Sequence, residues 1–284
     1  MIDMGENKIK VAILDLYEGT ENQGMRCLRE ILHQFEKDAN LSMLIDEFEV
    51  RCSNHLPGTN YDIYISSGGP GSPVDSKNSE WEINYFNWLQ SILDYNNKSE
   101  HQKKKYVFFI CHSFQLACRF FDIATVTKRN STAFGVFPIH LLNNTEQDSL
   151  FSGLPDPFYA VDSRDYQVIQ PNLNRINELG ISILAIEKAR PHVAYERALM
   201  AVRFNEYMIG TQFHPEADVT GMLLHLQTGE KKYTVINNHG EQKWMSMIEQ
   251  LNDPDKIKHT YIHILPNFLS DAVNKWSRAF IHNV

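Results

Sequence analysis

Apolar and polar positions divide the chain into three stretches with different periods. In the first, short apolar runs alternate with helical spacing. IKVAIL (9–14) ends at Asp15 and predicts a strand. Met25, Leu28, Ile31, Leu32 and Phe35 recur at three- and four-residue steps, the period of an amphipathic helix. A strand-like stretch near 43–50 and YDIYIS (61–66) follow, and a Gly/Pro/Ser cluster at 67–73 predicts a loop. Trp81, Tyr85, Trp88, Leu89 and Ile92 share one side of a helix expected from about Ser79 to Tyr95. YVFFI (106–110) is apolar throughout, as suits a central parallel strand buried on both faces, and CHSFQLACRFF after it has helical spacing.

The second stretch, 134–213, reads as short strands and turns: FGVFPIHL, PFYAV, ISILAI, ALMAVRF and EYMIGTQF. The third, after Thr220, is mainly helical. Met245, Ile248 and Leu251 make one stripe; Ile262, Ile264, Leu265, Phe268, Leu269 and Val273 make another, interrupted by Pro266. The order β-α-β-β-α-β-α at the start predicts an α/β fold with a doubly wound, largely parallel sheet flanked by helices. We expect a main domain over residues 1–220 and a helical C-terminal extension over 221–284 packed on the same domain.

Composition narrows the function. At 43% apolar and 22% charged the chain has globular proportions, which removes disorder as the default. The net charge of −8 excludes a general nucleic-acid surface, which needs a basic stripe to displace counterions. No apolar run approaches the roughly 20 residues of a membrane span. MIDMGENKIK has no basic segment followed by an apolar one, so no signal peptide is expected. Cys27, Cys52, Cys111 and Cys118 form no C-x-x-C pair, so a cytoplasmic protein with free thiols is the expectation. There is no H-E-x-x-H, no P-loop and no dinucleotide fingerprint; neither a metal nor a cofactor is expected.

Three segments carry chemistry. Cys111 stands between an apolar strand and a helix, where a sharp turn lifts a nucleophile out of the packed layer. The helix N-terminus beyond it favours a thiolate. Taken alone, Cys111 reads more readily as a small core cysteine. Ser66-Ser67-Gly68-Gly69-Pro70-Gly71-Ser72-Pro73 follows a strand and can turn backbone N–H groups toward a ligand. It can supply half of an oxyanion hole, with the amide of His112 as the other half; alone it is a plain tight turn. Gln212-Phe213-His214-Pro215-Glu216 offers a base and its orienting acceptor on one stiff segment; alone it is a surface turn.

In this order, SGGPGSP, a Cys at a strand–helix elbow with Gln four residues on, and QFHPE resemble the class I glutamine amidotransferase domain over roughly residues 8–220. Within that family the likeness is to the amidotransferase domain of GMP synthase. The segment DSLFSGLP (148–155) resembles a phrase of the family as well. The resemblance implies a flavodoxin-like architecture, with Cys111 as nucleophile, His214 as base and Glu216 as its orienter. It implies oxyanion donors from Gly69 and His112, and substrate contacts from Gly68, Gln115, Ser163 and Arg164. It implies hydrolysis of the glutamine γ-carboxamide through a γ-glutamyl thioester, with ammonia passed to a separate synthase subunit.

The family elbow, G-x-C-x-G-x-Q, here reads Phe109-Ile110-Cys111-His112-Ser113-Phe114-Gln115. Phe109 either packs away from the turn or narrows the pocket. Arg164 replaces a family His and either meets a substrate carboxylate or is a solvated surface residue. Two other readings therefore stand beside the first: a hydrolase of γ-glutamyl amides or peptides, and a non-catalytic binding or regulatory relative. For the tail, helices covering the sheet's flank is the leading reading, beside a cap over the site, a homodimer contact or a docking face.

Overall fold

The computed structural model describes residues 8–98, 100–142, 145–191, 196–253 and 256–281. In chain order the first half contains β1 (Ile9–Asp15), α1 (Gln23–Asp38), β2 (Met43–Glu49), β3 (Ile63–Ser66), α2 (Glu80–Asn97), β4 (Tyr106–Ile110) and α3 (His112–Phe120). The second half contains β5 (Thr125–Leu141), a 3-10 turn (Ser149–Phe151), β6 (Phe158–Ile169), α4 (Leu173–Leu179), β7 (Ser182–Glu187), β8 (Leu199–Arg203) and β9 (Met208–Thr211). The tail is α5 (Val219–Gln227), α6 (Gly229–His239), α7 (Glu241–Asn252) and α8 (Ile257–Ile281).

One sheet of nine strands runs β2-β1-β3-β4-β9-β8-β7-β5-β6. From β2 to β9 every pairing is parallel; from β9 to β6 every pairing is antiparallel. The expected doubly wound parallel core is thus present and forms one half of the sheet.

The apolar runs are strands because both of their faces are covered. All five residues of YVFFI are buried, and successive side chains enter opposite cores. Phe108 joins Ile13, Ile65 and Leu28 under α1; Phe109 joins Leu14, Tyr64 and Leu89 under α2. Asn22 starts α1 by accepting from the Met25 N–H, and Ser79 starts α2 by accepting from Glu82. Each cap precedes an apolar stripe, which is why both helices form where their spacing predicts.

The antiparallel half departs from expectation in length. β5 begins at Thr125, nine residues before FGVFPIHL, because TVTK pairs with YQVI of β6 (Thr125 opposite Ile169, Lys128 opposite Tyr166). Those strand residues are polar or charged on their open side, so no apolar run marked them. Helix α4 also went unread: of its seven residues only Ile176 is buried.

In the tail, the buried positions of α7 are Met247 and Leu251, while Met245 is 53% exposed. The stripe is therefore shifted from the expected one. Pro266 lies inside α8 without ending it. The carbonyl that Pro266 cannot pair is that of Ile262, which is itself 47% exposed, so water can take it. Ile264, Leu265, Phe268, Leu269 and Trp276 of α8 belong to the same core as Phe108. Asn267 clamps the helix by donating to the Leu150 and Ser152 carbonyls (3.0 and 2.9 Å), within DSLFSGLP. Among the described residues no helix is long and apolar enough to cross a membrane.

Candidate active site

Cys111 occupies the elbow between β4 and α3 with φ 49° and ψ −95°, a backbone region that costs a non-glycine residue of order 1–3 kcal/mol. The surrounding bonds hold it there. The Cys111 N–H continues the ladder to Thr211 O at 2.8 Å. Ser113 Oγ accepts from the Ile110 N–H at 2.8 Å and donates to Ser66 O at 2.7 Å. The residue that replaces the second family glycine thus ties the elbow to the end of β3. The first-turn amides of α3, His112 among them, have no helical carbonyl to bond and are left at the elbow end of the helix, next to Cys111.

Phe109 packs away from the thiol. It is fully buried on the opposite face of β4, edge-on to Phe204 at 5.7 Å. The pocket is not narrowed by it.

The loop after β3 is fixed from below. Ser67 accepts from the Leu16 N–H and donates its own N–H to Leu14 O, both at 2.9 Å. A Cβ at Gly69 would collide with the Leu16 carbonyl. A Cβ at Gly68 would stand 2.9 Å from His214 Cε1 and 3.6 Å from Cys111 Cβ. Gly68 is therefore the spacer that lets the imidazole approach the cysteine.

His214 is placed by both ends of the sheet. It follows β9, the neighbour of β4, and its N–H donates to Val161 O of β6 at 2.8 Å. Although β6, in the long β5–β6 ribbon, is the edge strand of the sheet, its Val161 thus bridges to the segment that follows β9. Nδ1 of His214 lies 2.8 Å from Glu216 Oε1, which directs Nε2 toward the thiol. Glu216 is 2% exposed and its other oxygen has no protein partner. Burial pulls the His214 pKa down. The charges of Glu216 and Cys111 and hydrogen bonds to both outweigh it, holding the imidazole well above the usual histidine range.

The remaining expected residues surround this centre. Ser163 presents its carbonyl to Cys111 Sγ at 3.8 Å. Gln115 Nε2 donates to Gln212 Oε1 at 3.0 Å and to Tyr166 O at 3.4 Å. Arg164 is no surface residue: its side chain is 1% exposed. Its guanidinium bonds Asp162 at 2.9 Å and lies 3.4 Å from Glu187. Its charge is met inside the protein. The His112 ring is buried, and burial, then the nearby Arg51 charge, push its pKa down to about 3 against an opposing Gly69 backbone bond. It is a neutral wall beside Trp81, at 6.4 Å between ring centres.

These groups open on a cavity of about 620 Å³, within the size range of small-molecule sites. Tyr17, Gly69, Tyr166, Phe134 and, from α5, Met222 and Leu224 line it. Tyr17 and Gln212 are the site residues that sequence reasoning missed. The Gln212 side chain is 3.6 Å from Cys111 Sγ; its signal was its place in QFHPE, two residues before the histidine. Tyr17 has no motif of its own. Its hydroxyl is admitted by Gly24, where a Cβ would stand 2.5 Å away, and faces Gly68. Among the described residues no group of three His, Cys, Asp or Glu side chains is arranged to hold a metal ion.

The sequence profile of the family described as Glutamine amidotransferase class-I matches residues 12–226. The chain belongs to the class-I glutamine amidotransferase family. The matched span takes in every site residue named above. Solved structures share the fold. A glutamine amidotransferase from Thermotoga maritima matches with a TM-score of 0.63 at 14% identity, covering 94% of this chain and 99% of that one. A protein from Thermoplasma acidophilum, described as a GMP synthase subunit, matches with a TM-score of 0.55 at 14% identity, over 98% and 99% of the two chains. The glutaminase domain of CTPS from Trypanosoma brucei, solved with bound acivicin, matches with a TM-score of 0.57 at 13% identity, over 94% of each chain. Among curated proteins none matches. At these identities the likenesses establish the fold of this amidotransferase-family chain.

Proposed function

We propose that the protein hydrolyses the γ-carboxamide of glutamine with Cys111 as nucleophile. The observation that carries this reading is a cysteine at a positive-φ elbow facing a His214–Glu216 pair 2.8 Å apart. His214 takes the thiol proton, and Sγ attacks the carbonyl carbon. As the C–S bond forms, the carbonyl π pair moves to oxygen, where the Gly69 and His112 amides stabilise it. Collapse expels ammonia with the proton returned by His214 and leaves a γ-glutamyl thioester. Water, deprotonated by His214, then attacks the thioester; the C–S bond breaks, and glutamate and the thiolate are released. Glutamine and water give glutamate and ammonia.

The domain over residues 1–220 carries this chemistry, and the described residues of the extension over 221–284 pack against it, with α5, which spans the junction, as one wall of the cavity. Ammonia is passed to a separate synthase subunit. One observation favours a second reading, hydrolysis of γ-glutamyl amides or peptides: the cavity of about 620 Å³ exceeds what a free glutamine fills.

Incubation with a glutamine-analogue electrophile tests both readings. A mass adduct on Cys111, absent from Cys111→Ala, is expected. Absence of an adduct with any γ-glutamyl electrophile would sink both. Turnover of γ-glutamyl amides without turnover of glutamine selects the second.

A further inference from the structure

The Cys111 sulfur meets two neutral groups besides His214: Gln212 Nε2 at 3.6 Å and Ser163 O at 3.8 Å. Which end of the Gln212 carboxamide faces the sulfur is decided by its neighbours. The Tyr166 carbonyl can only accept, so the Gln115 atom 3.4 Å from it is the amide nitrogen. That same nitrogen stands 3.0 Å from Gln212, which must therefore present its oxygen there. The NH2 group of Gln212 is left for the sulfur. Gln212 is wholly buried and Gln115 is 3% exposed, so bulk water does not compete for these bonds.

We propose that Gln212 is a catalytic residue whose carboxamide donates to Cys111 Sγ and stabilises the thiolate, and that Gln115 is the positioning residue that holds it in the donating orientation. This rests on the reading of Cys111 as nucleophile. The two neutral contacts divide between the protonation states. The Ser163 carbonyl accepts from S–H and suits the thiol; the Gln212 N–H suits the thiolate. The thiolate exists before attack and again when the thioester breaks, so a fixed donor serves both steps. It also commits the Gln115 NH2 to protein, leaving only the Gln115 oxygen for a ligand.

Among the described residues, His214 and Tyr17 are titratable groups that act on the sulfur; Glu216 stands behind His214, Cys27 of α1 acts on Tyr17, and His112 and the charged Arg164 line the same cavity. Exchanging a neutral glutamine for methionine leaves all of their charges in place. The test is alkylation by iodoacetamide from about pH 5 to pH 10, read by mass spectrometry on the peptide carrying Cys111, because Cys52 is exposed. In Gln212→Met the midpoint rises by about one pH unit, a tenfold smaller thiolate fraction at a given lower pH. Gln115→Met, which does not touch the sulfur, gives a smaller rise in the same direction. Gln212→Glu, which replaces the donor by an acceptor, gives a larger one. Thermal unfolding establishes that each variant is folded.

Coincident midpoints in the folded variants overturn the proposal. A measurement on the unsubstituted protein decides it where a variant does not fold: the Gln212 side-chain amide protons shift with the thiol midpoint in NMR, and resonances that stay still through it overturn the proposal equally. Neither readout needs turnover. Shifted midpoints without glutamine hydrolysis sink the proposed function alone; hydrolysis with unshifted midpoints sinks the role of Gln212 alone.

Discussion

Phe109 of β4 and Gly210 of β9 are register partners in adjoining parallel strands. A Cβ at Gly210 would stand 2.9 Å from Phe109 Cβ and 3.0 Å from both Phe109 O and Phe114 Cδ2. The glycine absent from the elbow is present on the next strand, where it makes the room that Phe109 occupies.

Stability and substrate binding therefore separate at this pair. Phe109→Ala should cost about 3–5 kcal/mol in urea unfolding by leaving a core cavity. Gly210→Val should destabilise by overpacking, by about 1–3 kcal/mol or more. In both folded variants KM for the γ-glutamyl substrate stays within about twofold, since neither side chain reaches the thiol. A tenfold KM change would show that Phe109 shapes the pocket after all.

Gly68→Ala inverts that pattern. Its Cβ would stand 2.9 Å from His214 Cε1, displacing the proposed base rather than the core. The expected outcome is a loss of kcat of about 100-fold with a Tm within a few degrees of the parent. Calorimetry and steady-state kinetics on the same preparation check it.

Glu216→Gln changes the alkaline limb of activity. The raised His214 pKa keeps the imidazole protonated above its ordinary range, and Glu216 is the largest raising influence. Without that charge the limb moves to lower pH, and kcat falls by about 10²–10⁴-fold. The linked stability follows the same sign. It is fully present below the unfolded histidine value of about 6.5 and is lost as pH rises through the folded one. A pH–rate profile whose alkaline limb does not move would contradict the role given to Glu216.

His112 predicts the opposite dependence. Its folded pKa of about 3 lies below the ordinary 6.5, so the unfolded chain binds a proton that the native protein does not. Stability falls as pH drops below about 6.5, by about 2–3 kcal/mol at pH 4.5 from this group. His112→Asn should flatten that slope in urea midpoints measured at the two pH values.

The parallel half was legible because its strands are buried on both faces, so burial and apolarity coincide, as in YVFFI. The elbow, the glycine loop and QFHPE could be found because each is contiguous. What escaped was what the chain assembles across distance. Arg164 could be read as solvated, yet its side chain is buried with Asp162 and Glu187 at the wall of the cavity, and only the pairing of β6 with the rest of the sheet brings the last of these near. Met245 and Met247 of α7 are equally apolar. Which of them is buried depends on how the helix lies on Val136 and Val161 of the ribbon. Gln212 was legible as a letter of a motif, while its donating end is set by Gln115 and Tyr166, each more than forty residues away.

The ribbon has one further consequence. Val161 anchors His214, and Ser163 meets Cys111, though β6 is the far edge strand of the sheet. The candidate centre thus depends on contacts made by an edge strand, and edge elements are drawn from the low-stability end of a fold. We expect mild denaturant to abolish the proposed hydrolysis before the parallel half unfolds, with activity and far-UV dichroism followed on the same samples.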